Sequence, residues 1–102
     1  MRLIVMYDLP VISEKDKKIY GKFRRFLLND GYIMMQYSVY SRICKNHDDI
    51  IKHINRIRQN TPEKGNVRLI QVTENQYNNM LLLTGNKLDD ELITNESLIV
   101  FE

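Results

Sequence analysis

Near its N-terminus the chain carries the hydrophobic run Leu3-Ile4-Val5-Met6-Tyr7-Asp8-Leu9, which stops at Pro10. β-Branched and aromatic residues favour a strand, and proline ends one. Because the run is apolar at both alternating sets of positions, both faces of this strand should be covered. The run therefore predicts a buried strand of a sheet, with one acidic side chain, Asp8, close to its end.

A helix is predicted after this strand. Ser13 can cap its N-terminus together with Asp16, three residues further on. Residues 29–31, Asn-Asp-Gly, are typical of a helix end. Apolar side chains recur on one face of this helix, and they are Ile19, Tyr20, Phe23, Phe26 and Leu27.

A second helix is predicted after the capping residues Asn46 and Asp49. The breaker at residues 61–66 ends it. Its inner face is predicted to be a row of isoleucines, Ile50, Ile51, Ile54 and Ile57.

The remaining strands are predicted at residues 32–43, 67–73, 81–84 and 97–101, with a short turn or helix at 74–80. The segment 32–43 is apolar at both alternating sets of positions and longer than a usual strand. It therefore stays ambiguous. Without a break the element order is β-α-β-α-β-β, and with one it is β-α-β-β-α-β.

These elements predict one α+β domain over residues 1–102, a ferredoxin-like sandwich with two helices on one face of an antiparallel sheet. Two helices cover only one face, although the first strands are apolar on both. A second copy of the chain is the simplest cover, so we expect a face-to-face homodimer. The last strand, 97–101, could then pair with the partner's sheet.

Charge is unevenly distributed along the chain. Residues 1–68 hold 14 basic and 7 acidic side chains, whereas residues 69–102 hold 1 and 6. This asymmetry favours a polyanion-binding surface and a separate acidic partner surface around residues 89–91. A dipolar surface without a function would look the same.

The chain has one cysteine, Cys44, which cannot form an internal disulfide. It is interpreted as a small, semi-buried structural thiol. The apolar run before Asp8 is too short for a signal peptide with its cleavage site or for a membrane span. We therefore expect a cytoplasmic protein with no membrane partner.

Asp8 is the first candidate for chemistry. A carboxylate on an apolar strand is costly unless it is paired or metal-bound, although a strand-end acid often only forms a turn. Two Asp8 side chains near a two-fold axis would repel each other unless a cation lay between them. The pair predicts a Mg²⁺ site for phosphodiester hydrolysis, with Asp8 as metal ligand and catalytic residue.

Basic side chains on the first helix are the second candidate. Most of them recur at helical spacing as a stripe beside the apolar face. A solvated helix face is the simpler interpretation, and contact with a nucleic-acid backbone is the alternative, which would be sequence-tolerant and salt-dependent. The candidates are Lys15, Lys18, Lys22 and Arg25 in the stripe and Arg24 on the other flank.

Other polar and aromatic groups are interpreted as structural. His47 and His53 lack the spacing of metal ligands and are predicted to be surface residues. The tyrosines are predicted to pack in the core and the interface rather than to stack on bases. They are Tyr7, Tyr20, Tyr32, Tyr37 and Tyr40.

In four segments the chain resembles the small CRISPR-associated spacer-acquisition protein, an endoribonuclease-like family. The segments are 5–10 (VMYDLP), 22–27 (KFRRFL), 31–40 (GYIMMQYSVY) and 65–74 (GNVRLIQVTE). The part around residues 33–35 is most similar to the branch of type II-A systems. Members often carry an arginine just before the glutamine of the third segment, where this chain has Met35.

The resemblance implies a ferredoxin-like fold, a homodimer with its sheets face to face and a last strand that completes the partner's sheet. It also implies that Asp8 of each protomer is the Mg²⁺ ligand. The dimer would bridge two dimers of the larger CRISPR integrase and hold duplex DNA along its basic faces. Other type II-A adaptation proteins would be further partners. Metal-dependent cleavage of RNA or DNA occurs in some members and not in others.

Three functions therefore remain open. The first is CRISPR adaptation with Mg²⁺-dependent endonuclease activity at Asp8. The second is a non-catalytic DNA-binding scaffold in which Asp8 is structural, which the single acid per protomer favours. The third is an RNA-binding ferredoxin-like domain unconnected with CRISPR, which should expose aromatic side chains on its sheet.

Overall fold

The computed structural model describes residues 1–87, which form one sheet and three helices. The elements in chain order are β1 (Arg2–Asp8), α1 (Glu14–Asn29), β2 (Ile33–Gln36), β3 (Val39–Ile43), α2 (His47–Asn60), β4 (Asn66–Val72) and α3 (Glu74–Asn78).

The sheet is antiparallel throughout, in the order β2-β3-β1-β4. β1 is an inner strand, as its hydrophobic run predicts, and Ile4 lies between Ser41 of β3 and Ile70 of β4. The chain order β-α-β-β-α-β with this strand order is ferredoxin-like. The predicted α+β fold class is therefore confirmed.

One face of the sheet packs on α1 and α2. Leu3, Val5 and Tyr7 alternate toward this face and join one buried cluster with side chains of both helices. The rings of Tyr7 and Phe23 meet edge to face, with centroids 5.1 Å apart. Cys44 is buried in the same cluster, more deeply than the semi-buried thiol that was predicted.

The single strand predicted at residues 32–43 is wrong. Two strands, β2 and β3, replace it, and they are joined by a turn at Tyr37 and Ser38. Ser38 has a φ of 66°, and its carbonyl oxygen accepts a hydrogen bond from the Tyr7 N–H at 3.1 Å. Turns are usually marked in a sequence by glycine, asparagine or proline, and Ser38 is none of these. The apolar pattern of residues 32–43 therefore gave no indication of the turn.

Both predicted helix N-termini are confirmed. Ser13 and Asp16 form a reciprocal capping box at α1. At α2 the Asn46 side chain accepts a hydrogen bond from the Asp49 N–H at 2.9 Å. Within residues 1–87, no helix combines the length and apolar character needed to cross a bilayer.

The inner face of α2 differs from its prediction. Ile50 and Ile57 are buried, whereas Ile51 is exposed and His53 is fully buried. His53 follows Ile50 by three residues, which is the spacing of a buried helix face. The prediction that His53 lies at the surface is wrong, because its imidazole has carboxylate partners inside the fold.

The strand predicted at residues 81–84 is also wrong. This segment follows α3 without regular structure, and Leu81 and Leu83 are exposed. A strand forms only where its backbone pairs with a neighbour, and none of the described strands pairs with these residues. The final strand predicted at 97–101 lies outside the described residues.

α3 covers one end of the second sheet face. The Arg2 guanidinium stacks 3.7 Å from the centre of the Tyr77 ring, and its Nε donates to Glu74 at 2.9 Å. Exposure along this face of β1 then rises from 0% at Arg2 to 7% at Ile4 and 37% at Met6. The face predicted to need a second subunit is therefore partly covered by the chain itself and remains open at the far end of β1.

Candidate functional site

Asp8 is the last residue of β1, at the open end of the second sheet face. Its backbone is in register with Asn66 of β4. By strand alternation its side chain belongs to the face of Ile4 and Met6, opposite the helices. The carboxylate is exposed, and no hydrogen bond or ion pair holds it among the described residues.

Two turns fix the end of β1. Ser38 in the hairpin accepts from the Tyr7 N–H, and Gly65 approaches the Asp8 backbone from the loop before β4. Gly65 has a φ of 87°, a conformation that favours glycine. Asp8 is therefore held by its backbone and keeps its side chain free.

Asp8 is a potential metal ligand without a neighbouring ligand cluster in the described part of the chain. Within residues 1–87, no group of three or more His, Cys, Asp or Glu side chains could hold an ion. A free carboxylate nevertheless fits Mg²⁺, which takes one or two carboxylates and completes its shell with water and phosphate oxygens. The donor chemistry of Asp8 therefore fits Mg²⁺ as one ligand, with the other positions of the shell left to further donors.

The predicted basic stripe is exposed and unpaired. Lys15, Lys18, Lys22 and Arg25 lie on the solvent side of α1 and form no ion pair among the described residues. The nearby Lys17 instead contacts Glu14 at 3.4 Å. The stripe thus keeps its positive charge available to an external anion.

Arg24, on the other flank of α1, differs from the stripe. It is exposed, yet its Nε donates to the buried Tyr40 hydroxyl at 3.1 Å. Of the five residues predicted to contact a nucleic-acid backbone, Arg24 is the one whose side chain forms a hydrogen bond with a core residue in the described part of the chain.

The structure does not bring Asp8 and the stripe into one site within a protomer. Asp8 belongs to the sheet face without α1 and α2, whereas Lys18 and Lys22 lie on the outer side of α1. A cleft of about 450 Å³ opens beside α1, with Lys15 and Lys22 at its rim, and Asp8 does not line it. Asp8 and the basic stripe therefore lie on separate surfaces of the protomer.

The basic residues of α2 are largely neutralised. Arg56 contacts Asp30 at 2.6 Å, and Lys52 contacts Asp49 at 3.5 Å. Close carboxylates cancel much of the field that a phosphate would feel. Within residues 1–87, Arg58 is the α2 cation that makes no ion pair, so most of the unpaired positive charge of the two long helices lies on α1.

Sequence reasoning missed a buried charge network around His53. Its Nδ1 lies 2.8 Å from Asp30 Oδ2, and its Nε2 lies 3.2 Å from Asp49 Oδ1. The second contact lacks hydrogen-bond geometry, so we treat it as electrostatic. The four-residue spacing of Asp49 and His53 on α2 was a signal that could have revealed the pair.

The Asp49 carboxylate is also held by the backbone. The Lys45 N–H donates to it at 3.0 Å. This hydrogen bond is the main cause that lowers the pKa of Asp49, and the nearby charges of His53 and Arg42 lower it further. The network joins the start of α2 to Asp30 after α1, so its role is structural.

Most of the tyrosines pack in the core, as predicted. Tyr7, Tyr32 and Tyr40 are buried. Burial raises the pKa of the Tyr7 phenol, and the neighbouring phenols of Tyr40 and Tyr20 raise it further, although no hydrogen bond of good geometry reaches the Tyr7 hydroxyl. Tyr37, at the hairpin turn, is 85% exposed and lies outside this core.

Comparison with known proteins identifies a family whose members match most of the described residues. The family described as CRISPR associated protein Cas2 matches residues 1–80, which include every element from β1 to α3. The matched region contains Asp8, the basic face of α1 and the β2–β3 hairpin.

Curated relatives match over nearly the full length. "CRISPR-associated endoribonuclease Cas2" of Acidovorax ebreus is 48% identical over 99 residues, which cover 97% of this chain and 97% of that protein. The protein of the same name from Streptococcus mutans serotype c (strain ATCC 700610 / UA159) is 42% identical, covering 99% and 92%. That of Ligilactobacillus salivarius is 42% identical, covering 98% and 99%. With this fold and these matches, the chain belongs to the Cas2 family of CRISPR-associated proteins.

Proposed function

We propose that this chain is a CRISPR adaptation protein that forms a homodimer, binds duplex DNA and bridges two dimers of the larger CRISPR integrase. Other adaptation proteins of type II-A systems would be further partners. Family membership supports the CRISPR role. The observation that carries the rest is the second sheet face, on which Met6 and Ile70 are exposed and whose open end also holds Arg68, Asn66 and Asp8.

The open end of this face supports the homodimer. Met6 of β1 and Ile70 of β4 lie on it and are 37% and 49% exposed. Burying apolar surface stabilises by about 25 cal/mol per Å². A second copy packed sheet to sheet about a two-fold axis would cover this end in both protomers at once.

The same packing would bring the two Asp8 carboxylates toward each other. Unpaired like charges repel at short range, and a divalent cation relieves the repulsion. Asp8 of each protomer would hold Mg²⁺, which when bound would stabilise negative charge on a phosphodiester. The free carboxylate supports this assignment, because no residue within 1–87 competes for it.

The unpaired cations of α1 support DNA binding. Lys18, Lys22 and Arg25 expose charge without a carboxylate partner in the described part of the chain, and a dimer would present the row twice. Contacts of this kind follow the phosphate backbone and carry no base code. We expect binding that tolerates any sequence and weakens steeply with salt.

Dimer symmetry supports the bridging role. A two-fold dimer presents each of its surfaces twice, so it can hold two identical partners at once. The acidic residues 89–91, outside the described part of the chain, are the predicted docking surface for a basic partner. Reversing their charge should weaken integrase binding.

A second candidate function is Mg²⁺-dependent endonuclease activity on RNA or DNA. The relatives compared above carry the name endoribonuclease, and the free Asp8 carboxylate favours a metal. One acid per protomer is sparse for a complete active site. We therefore prefer the DNA-binding scaffold and treat cleavage as the second function.

Asp8→Asn separates these functions, since it removes the charge and keeps the shape. Cleavage of RNA and duplex DNA in Mg²⁺ is measured beside integration of a DNA duplex by the chain with its integrase. Loss of cleavage with retained integration supports the scaffold. Unchanged cleavage contradicts Asp8 as the metal ligand, and loss of integration contradicts a scaffold that does not use Asp8.

Dimerisation is tested by sedimentation of Met6→Asp at micromolar concentration. The buried carboxylate should shift the chain from a dimer to a single protomer. Ile12→Asp is the matched control, because Ile12 is exposed in the loop after β1 and should leave the dimer intact. A wild-type chain with the mass of one protomer would overturn the proposal.

A further inference from the structure

We infer that Tyr40 is a positioning residue whose buried hydroxyl holds the guanidinium of Arg24 in place for a nucleic-acid phosphate. The inference rests on the proposed DNA binding and adds a residue to it that the charge pattern of α1 does not reveal. Tyr40 would touch no nucleic acid itself and would act through Arg24.

The hydrogen bond joins the fixed hydroxyl of Tyr40 to the long side chain of Arg24. Tyr40 is 1% exposed, and its strand position is set by pairing with Val5 of β1 and Met34 of β2. Its ring stacks on that of Tyr7, with centroids 6.0 Å apart and planes 14° from parallel. The hydroxyl therefore occupies one place, at which Arg24 Nε donates at 3.1 Å.

This hydrogen bond leaves most of the guanidinium available. Arginine has five N–H donors in a planar fork, and Nε supplies only one. Arg24 makes no ion pair among the described residues. Its outer N–H groups thus remain free for the two-point contact with phosphate oxygens that arginine favours.

The neighbouring cations lack such an anchor. Arg25 folds back over Gly21, where its Nη1 would lie 3.2 Å from an added Cβ, and it makes no side-chain hydrogen bond among the described residues. A long side chain that is free must be immobilised on binding, and this loss of conformational entropy weakens binding. The Tyr40 hydroxyl removes part of this cost for Arg24.

Arg24 could instead serve only to satisfy the Tyr40 hydroxyl. In that case the hydrogen bond between Arg24 and Tyr40 would only stabilise the fold. Removing the Tyr40 hydroxyl would then change DNA binding no more than removing another buried hydroxyl does. Tyr32 provides this comparison, because its hydroxyl is buried and has no hydrogen-bond partner within residues 1–87. Tyr32→Phe is therefore the matched control for Tyr40→Phe.

The test measures binding of a mixed-sequence DNA duplex by fluorescence anisotropy at several NaCl concentrations. The variants are Tyr40→Phe, Arg24→Ala, the double variant and Tyr32→Phe. We expect Tyr40→Phe to weaken binding about three-fold with an unchanged salt slope, because the phosphate contact persists. Arg24→Ala should lower the slope by about 0.9 per lost contact. In the Arg24→Ala background Tyr40→Phe should have no further effect, and Tyr32→Phe should bind as wild type.

Two results would overturn the inference. One is wild-type binding by Tyr40→Phe, and the other is an equal loss from Tyr40→Phe with and without Arg24. The combined variant Lys18→Ala, Lys22→Ala, Arg25→Ala tests the proposed function separately. If it loses binding while Tyr40→Phe does not, only the role of Tyr40 fails. If it binds as wild type, the proposed interface on α1 fails.

Discussion

Gly65 and Asp8 approach so closely that a Cβ atom on Gly65 would lie 2.5 Å from the Asp8 carbonyl oxygen. The same Cβ would lie 2.9 Å from Leu9 Cδ2. No side chain fits at this distance unless the end of β1 moves. The glycine before β4 is therefore part of what places the candidate metal ligand.

Gly65→Ala should destabilise the fold by about 2–3 kcal/mol, since it adds backbone strain to the clash. Urea unfolding measures this loss. Gly85→Ala is the matched control, because Gly85 also has a positive φ, 104°, and an added Cβ there meets no atom of residues 1–87 within 4 Å. Equal effects of the two substitutions would contradict the role of the Asp8 contact.

His53 should be a major source of stability. Its imidazole is fully buried and its Nδ1 lies within hydrogen-bond distance of Asp30, and removing a large buried side chain typically costs about 2–5 kcal/mol through the cavity it leaves. We expect His53→Ala to lose about 3 kcal/mol in urea unfolding. His47→Ala, in the exposed first turn of α2, should change stability by less than about 0.5 kcal/mol. Similar values for the two variants would contradict the network.

Acid should weaken the fold partly through Asp49. Its pKa lies below the ordinary value of 3.8 in the folded chain, first because the Lys45 N–H donates to the carboxylate. A carboxyl whose pKa is lower in the folded chain than in the unfolded chain stabilises the fold at pH values above its unfolded pKa. This contribution is lost as the pH falls through the pKa of the folded chain.

Asp49→Asn should therefore be less stable than wild type at about pH 6, and the difference should shrink toward about pH 2. Urea midpoints at both pH values measure it. Asp48→Asn is the control, because the Asp48 side chain makes no hydrogen bond or ion pair among the described residues. A pH-independent difference for Asp49→Asn would contradict the assignment.

Cys44 should react slowly in the folded chain. Burial raises the pKa of its thiol, and the Asp49 charge raises it further. Both effects lower the thiolate fraction at neutral pH, and the thiolate is the reactive form. Alkylation by iodoacetamide, followed by mass spectrometry, should be much faster in urea than in buffer. Equal rates would show that the thiol is accessible in the native state.

The sequence was informative wherever the local signals agreed. The run that ends at Asp8 predicted an inner strand, and Ser13 with Asp16 predicted the start of α1. It failed at Ser38, because a left-handed serine has no distinctive sequence signal. Residues 81–84 show the opposite error, since three leucines suggest a strand although no strand of the described chain pairs with them.

Part of the candidate site was also predictable from local sequence signals. Asp8 stood out because an acid is unusual on an apolar strand. The anchoring of Arg24 by Tyr40 joins α1 to β3 across the core, and the burial of His53 depends on Asp30 from another segment. Such long-range contacts follow from tertiary packing, which residue spacing does not encode.

The central claim is that two copies pack through the open sheet face and bring their Asp8 residues together. A nitroxide label on an Asp8→Cys variant tests it directly, because the buried Cys44 should stay unlabelled. We expect strong dipolar coupling between the labels of two protomers, lost when labelled chain is diluted with unlabelled chain. Uncoupled labels on a species with the mass of one protomer would contradict the claim.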